Sequence, residues 1–390
     1  MYHHKRSAYG AGAALAALAL VAPATALEPD PAATRAIMRE VFEALQQSLP
    51  ASLDEESFRD PARREEIGRA LQTLATHSER VANHGSRAGE DFAFLSRSLA
   101  RDARDAERRF AGGYPSEARF LLHGIVENCA ACHSRLPDPE DARLPSRILD
   151  EQALAELELP ERATLAVATR QFEDALEAME TMFASTRYDA GSIELMGHLE
   201  DYLEITLQVK NEPKRAARTL RAFSEREDVR PGLDAKLARW IEDLEQLAER
   251  GPVEGLPAAR EMVERAEAAT PHLGERAELV RYVAAAGALH RFLATLESGD
   301  SQAAEAYYWL GVVESRIGRS FWLSQTEAYL EASIRLAPAG PFADDAYAVL
   351  EEFVVLGYTG SSGEHVPPEV QGWLDELRRL IAKSREGDAA

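Results

Sequence analysis

The chain has 390 residues, too many for one ordinary hydrophobic core, so two or more domains are expected. Ala, Leu, Glu and Arg dominate and only 7% of residues are aromatic, a composition that favours helices over sheets. A formal net charge of -22 repels polyanions, which argues against nucleic acid and for a protein partner with a basic docking surface.

The N-terminus reads as a secretory signal peptide over 1–26. Lys5 and Arg6 precede a small apolar run from Ala8 to Ala22, and Ala24-Thr25-Ala26 fits the small-x-small cleavage rule. The mature chain is then expected to start at Leu27 and to be periplasmic. The apolar run is too short for a membrane span, and no later stretch is apolar enough for one. No integral span is expected in the mature chain.

Beyond the signal the pattern is one of helices separated by short breakers. The first runs from about Pro31 to Leu49 and is expected to stop at Pro50. Asp60-Pro61 is a cap-plus-proline start for the second, which ends near Gly85. The third spans about Glu90 to Phe110, closed by Gly112-Gly113. The fourth starts at Pro115 and ends near His133. Each carries an apolar stripe at helical spacing: Ile37, Val41, Leu45; Ile67, Leu71, Leu74, Val81; Phe92, Leu95, Leu99, Phe110; Leu122, Ile125, Val126, Cys129. Short connections between four helices predict an antiparallel bundle over 27–137.

The polar, Pro-rich stretch after Leu136 is read as a linker over 138–150. Helical patterns resume at Glu151 and continue almost to the end, with breaks at Asn211-Glu212-Pro213, Arg230-Pro231-Gly232, Gly251-Pro252, Thr270-Pro271, Pro338 to Pro341 and Gly357 to Pro368. The expected fold class is all-α, with a helical-repeat domain over 151–390. Within it, Tyr307-Tyr308-Trp309-Leu310-Gly311, then Ala328 to Ala332, then Leu336-Ala337-Pro338 resembles the tetratricopeptide repeat over about 303–357. The resemblance implies stacked helix pairs offering an extended protein-binding surface. Tyr307, Tyr308, Trp309, Phe321 and Trp322 are read as repeat-core packing, with a binding surface as the competing reading.

Cys129-Ala130-Ala131-Cys132-His133 carries the chemistry. These are the only two cysteines, so no long-range disulfide is available. Two thiols at this spacing can add across the two vinyl groups of one haem, and the adjacent imidazole then reaches the iron from the same helical face. The competing readings are a thioredoxin-like redox pair, which normally follows a strand, and half a zinc site, which needs two further ligands. Covalent haem c is the expected cofactor, attached at Cys129 and Cys132 with His133 as proximal ligand.

A four-helix chain with this pentapeptide at the end of its last helix resembles the class II cytochromes c, including the cytochromes c-prime, over about 31–137. The resemblance implies a haem inside the bundle near one end. It implies Met38, on the first helix, as the sixth ligand, and Arg35, one turn earlier, as a contact for the propionates. Antiparallel geometry places His77 and His84 near the same level, so either histidine, or an open position, competes with Met38. His123 lies on the motif's own helix and cannot reach the distal side. No catalytic triad is visible. The expected function is single-electron transfer by a non-enzymatic redox protein, with the helical domain docking a protein partner. The alternatives are binding or sensing of a small gas such as NO or CO at an open iron position, and an adaptor with a mainly structural haem.

Overall fold

The computed structural model describes residues 31–85, 90–135, 149, 151–269, 276–297, 300–318, 324–361 and 363–388. The expected signal peptide, the linker apart from Leu149, and Phe321 and Trp322 lie outside the described residues. Among the described residues the chain is all-α, apart from one short antiparallel pair, β1 (Thr359–Gly360) with β2 (Gly363–Glu364), in the Gly-rich connection after 357. Among the described residues no helix is long and apolar enough to cross a membrane.

The first group holds α1 (Pro31–Leu53), α2 (Glu55–Arg59), a 3-10 turn (Pro61–Arg63), α3 (Arg64–Gly85), α4 (Glu90–Ala111) and α5 (Pro115–His133). The starts of the last three long helices follow the predicted breakers. Asp60 accepts from the Ala62 N–H at 2.9 Å, ahead of Pro61, and Gly113 turns the chain with φ of 88° before Pro115. Two features differ from the pattern. Pro50 lies inside α1 instead of ending it. Proline removes an N–H and crowds the preceding turn, but Ala51 and Ser52 are buried, and Ser52 Oγ donates to the Leu49 carbonyl at 2.7 Å. Packing thus carries the helix past the proline. The short α2 was not expected; the Asp54 carboxylate caps it by accepting from the N–H groups of Glu56 and Ser57.

α1 packs on α3, α3 on α4 and α4 on α5, and α1 also meets α5. Neighbours run antiparallel. Thr34 at the start of α1 meets His84 at the end of α3, and Arg119 at the start of α5 donates to the Ser52 carbonyl at the end of α1. Val41, Leu45, Ile67, Leu71, Leu74, Leu99, Leu122, Ile125 and Cys129 share one buried core. Leu95 does not; it joins the larger core described next.

The remaining chain forms α6 (Glu151–Glu156), α7 (Leu159–Ala168), α8 (Phe172–Ala184), α9 (Ala190–Leu195), α10 (His198–Leu203), a π-helical turn (Glu204–Val209), α11 (Pro213–Ser224), α12 (Pro231–Arg250), α13 (Gly255–Ala269), α14 (Leu279–Leu293), α15 (Gln302–Ile317), α16 (Thr326–Leu336), α17 (Ala343–Gly357) and α18 (Pro368–Asp388). Successive helices pair: α7 with α8, α11 with α12, α13 with α14, α15 with α16. Their core is centred on Tyr202, Trp240, Tyr282 and Leu289, with a third cluster under α16 to α18. The π-helical turn sits where α14 crosses: a Cβ added at Gly287 would stand 2.9 Å from the Gln208 Cα. The bare glycine permits that close approach.

The two groups are in contact. α5 packs on α7, and α4 meets α16. Ala130 and Ala131, inside the cysteine motif, are fully buried in the larger core.

The Leu310-Gly311 step has a clear packing reason. A Cβ at Gly311 would come within 2.5 Å of Leu330 Cγ on α16, so the two helices cross at the bare glycine. Gly311→Val should therefore lower stability by about 2 kcal/mol through overpacking, despite glycine's poor helix propensity. A urea melt followed by circular dichroism checks this; an unchanged midpoint would show that Leu330 yields freely.

Candidate functional site

Proline at the first position of α5 and a continuous apolar stripe run the helix to its end at His133, so the whole motif lies on its last turn. Cys129 faces the core of the first group, and Cys132 packs against the larger core from its rim. Neither cysteine is in a disulfide. Burial, and then the neighbouring Cys132, push the Cys129 thiol up to about 12. It is a buried protonated thiol, the reverse of the activated thiolate of a redox pair. Among the described residues no three His, Cys, Asp or Glu side chains gather as a metal-holding group. A tetrahedral zinc on Cys129 and Cys132 would lack its remaining protein ligands.

His133 is buried, and its Nδ1 lies 2.8 Å from the Ala168 carbonyl at the end of α7. A carbonyl can only accept, so Nδ1 carries the hydrogen. Burial, and then the Arg170 guanidinium, hold the imidazole at about 3, well below the ordinary histidine range. The ring is therefore neutral at physiological pH, with its lone pair on Nε2. That is the tautomer that ligates a metal, held by the outer hydrogen bond that such ligands use. Two thiols and a neutral, oriented imidazole on one helical turn are a donor set that fits covalent haem.

The turn is braced on both sides. Asn128 Nδ2 donates to Asp102 on α4 at 2.6 Å. Arg135, two residues past the histidine, donates back to the Ala131 carbonyl at 2.6 Å and to Glu314 on α15 at 3.2 Å. Both members of this ion pair are buried, with side chains 5% and 3% exposed. Ala168, Arg135, Glu314 and the Asn128–Asp102 pair were not among the predicted site residues. Asn128 gave a signal, a polar side chain within an apolar run, whereas a backbone carbonyl gives none.

Met38 is half-buried and packs against the same core as Cys129. Arg35 stands one turn before it, half-buried. His77 and His84 lie where α3 passes the start of α1, but each already has a partner there. His77 Nδ1 is 2.9 Å from the Glu40 carboxylate, and His84 Nε2 is 2.6 Å from Thr34 Oγ1. His123 sits toward the opposite end of α5, 3.2 Å from Ser52 Oγ. A cavity of about 350 Å³ between α6, α7 and α8 is bounded by Leu149, Leu154 and Leu165 on its apolar part and by Arg162, Asp174 and Glu177 on its polar part. Leu149 and Leu165 belong to the Cys129 core.

No family model, curated protein or solved structure matches the chain at a significant level.

The Arg135 charge also reaches a second buried imidazole, His290 on α14, whose Nε2 has no hydrogen-bond partner among the described residues. Burial, then Arg135 and Arg291, hold it at about 3 against an ordinary 6.5. Below about 6.5 the unfolded chain takes up a proton that the folded chain refuses. Stability from this group is complete above that pH and is lost as pH falls toward 3, at up to about 1.4 kcal/mol per unit. His290→Phe should flatten the fall: between pH 7 and pH 4.5 its urea midpoint should drop less than that of the unaltered protein. Equal drops would show that His290 is protonated in the fold.

Proposed function

We propose that the chain is an exported mono-haem c-type cytochrome that carries single electrons and is not an enzyme. The last turn of α5 carries this reading: two unbridged thiols beside a buried, neutral imidazole whose Nδ1–H is committed to a carbonyl. Cys129 and Cys132 would add their S–H bonds across the two haem vinyl groups, and His133 Nε2 would be the proximal ligand. Haem held there supplies reversible one-electron chemistry. The rest falls to the chain: α4 and α7 keep solvent from the motif, and the Ala168 carbonyl orients the ligating ring.

Met38 is the best-supported sixth ligand, because it packs on the core of Cys129 whereas His77 and His84 are engaged by Glu40 and Thr34. A His/Met pair favours a raised potential. Arg35 would meet the propionates. α1, α3, α4 and α5 would serve as a haem bundle of the class II kind. The signal over 1–26 would deliver the protein to the periplasm. The paired helices after 151, tetratricopeptide-like over 303–357, would dock a redox partner whose surface is basic, in keeping with the net charge of -22.

Expressed in a periplasm with haem-maturation machinery, the protein should keep its haem through a denaturing gel. Replacing Cys129 and Cys132 with Ala should abolish the haem stain; stain that persists in the double variant overturns covalent attachment.

The sixth position is tested optically. A thioether on ferric haem gives a weak band near the red end of the spectrum. Met38→Ala should remove it and open the iron to carbon monoxide, with attachment intact, while His77→Ala and His84→Ala should leave it. High-spin unaltered protein that binds carbon monoxide readily would instead move the gas-binding reading ahead.

A further inference from the structure

The motif helix ends in a clasp made by the far half of the chain. Arg135 reaches in two directions: back to the Ala131 carbonyl at 2.6 Å, and across to both carboxylate oxygens of Glu314, at 3.2 and 3.3 Å. The first contact takes a carbonyl at the end of α5 that has lost its helical partner. The second anchors that end to α15, 179 residues away in sequence. Both side chains are buried, so neither charge has water as a substitute partner. Glu204 on the π-helical turn and Tyr329 on α16 face the same guanidinium. On the opposite side of the turn, His133 gives its Nδ1–H to Ala168. The last turn of α5 therefore has two fixed points outside its own group of helices, one of them the ligating ring itself.

We propose that Glu314 is a positioning residue for the iron ligand: acting through Arg135, it fixes the last turn of α5 and with it the direction of the His133 ring. The helical half of the chain then completes the haem site as well as docking a partner. This inference rests on the haem reading above, so its test separates the two.

Three full-length proteins are compared: unaltered, Glu314→Gln, and the double variant Arg135→Met with Glu314→Leu. The double variant guards against a folding failure, because neither member of the ion pair is left behind as a stranded buried charge. The first measurement needs no haem: hydrogen exchange of the backbone amides of 129–135. In both variants these amides should exchange about ten-fold faster or more, while those of α1 and α3 stay unchanged. The second is acid titration of the haem-loaded proteins, read as the change of spin state when the axial histidine leaves the iron. The midpoint should rise by about one pH unit in both variants, since a looser ring is protonated off the metal more readily. Covalent haem should survive in the denaturing gel throughout. Unchanged exchange at 129–135 together with an unchanged acid midpoint overturns the assignment and leaves the ion pair a passive core contact. Unaltered protein without covalent haem overturns the functional reading instead, and the exchange arm still decides whether the pair holds the turn.

Discussion

The hydrogen bond from His133 Nδ1–H to the Ala168 carbonyl is the contact on which the site's chemistry depends. It decides the tautomer, because only one ring nitrogen can face a carbonyl and that nitrogen must carry the proton. It also makes burial tolerable, since a neutral imidazole with one satisfied donor costs far less in an apolar setting than a charged one. The environment then reinforces the choice: burial and the Arg170 charge both disfavour the imidazolium. On the haem reading, a ring left able to titrate would offer iron a proton in place of a lone pair over part of the ordinary pH range.

The same turn of α5 is where the two main cores touch. Cys129 belongs to one, Ala130 and Ala131 to the other, and Leu95 of α4 crosses to the second as well. Small residues at 130 and 131 are fully buried in the larger core, where α7 packs on α5, and Arg135 just beyond them meets Glu314 of α15. A buried ion pair gains little over a well-packed apolar pair, but stranding one member costs about 3–5 kcal/mol. Specificity of docking is the better account of why charges are found there than stability alone.

Much of the fold is legible in the sequence because its punctuation is covalent. Pro61, Gly112-Gly113, Pro115, Pro213 and Pro231 act through their own backbones and Asp60 through its adjacent carboxylate, and helices start or stop beside each. Where punctuation competes with packing, reading fails: Pro50 should end α1, yet burial of Ala51 and Ser52 holds the helix together. The π-helical turn has no local signature; it lies where α14 crosses at Gly287. The site divides in the same way. Cys129, Cys132 and His133 are contiguous and announce themselves. Ala168 acts through a carbonyl that any residue would supply, and Glu314 is one acidic residue among many until the fold brings it to Arg135. His77 shows the limit of the stripe argument: it follows Leu74 in register, yet its ring turns to Glu40 at the surface of the helix pair.

The burial of Cys129 sets an order of events. A thiol so enclosed, with the adjacent alanines fully covered, is shut off from an attachment machinery once α7 has packed on α5. On the haem reading, the carbon–sulfur bond at Cys129 would form while α7 is still undocked, whereas Cys132 stands less enclosed at the rim. The helices after 151 would then act as a cover fitted after the cofactor, and closing the fold would be the last step of maturation.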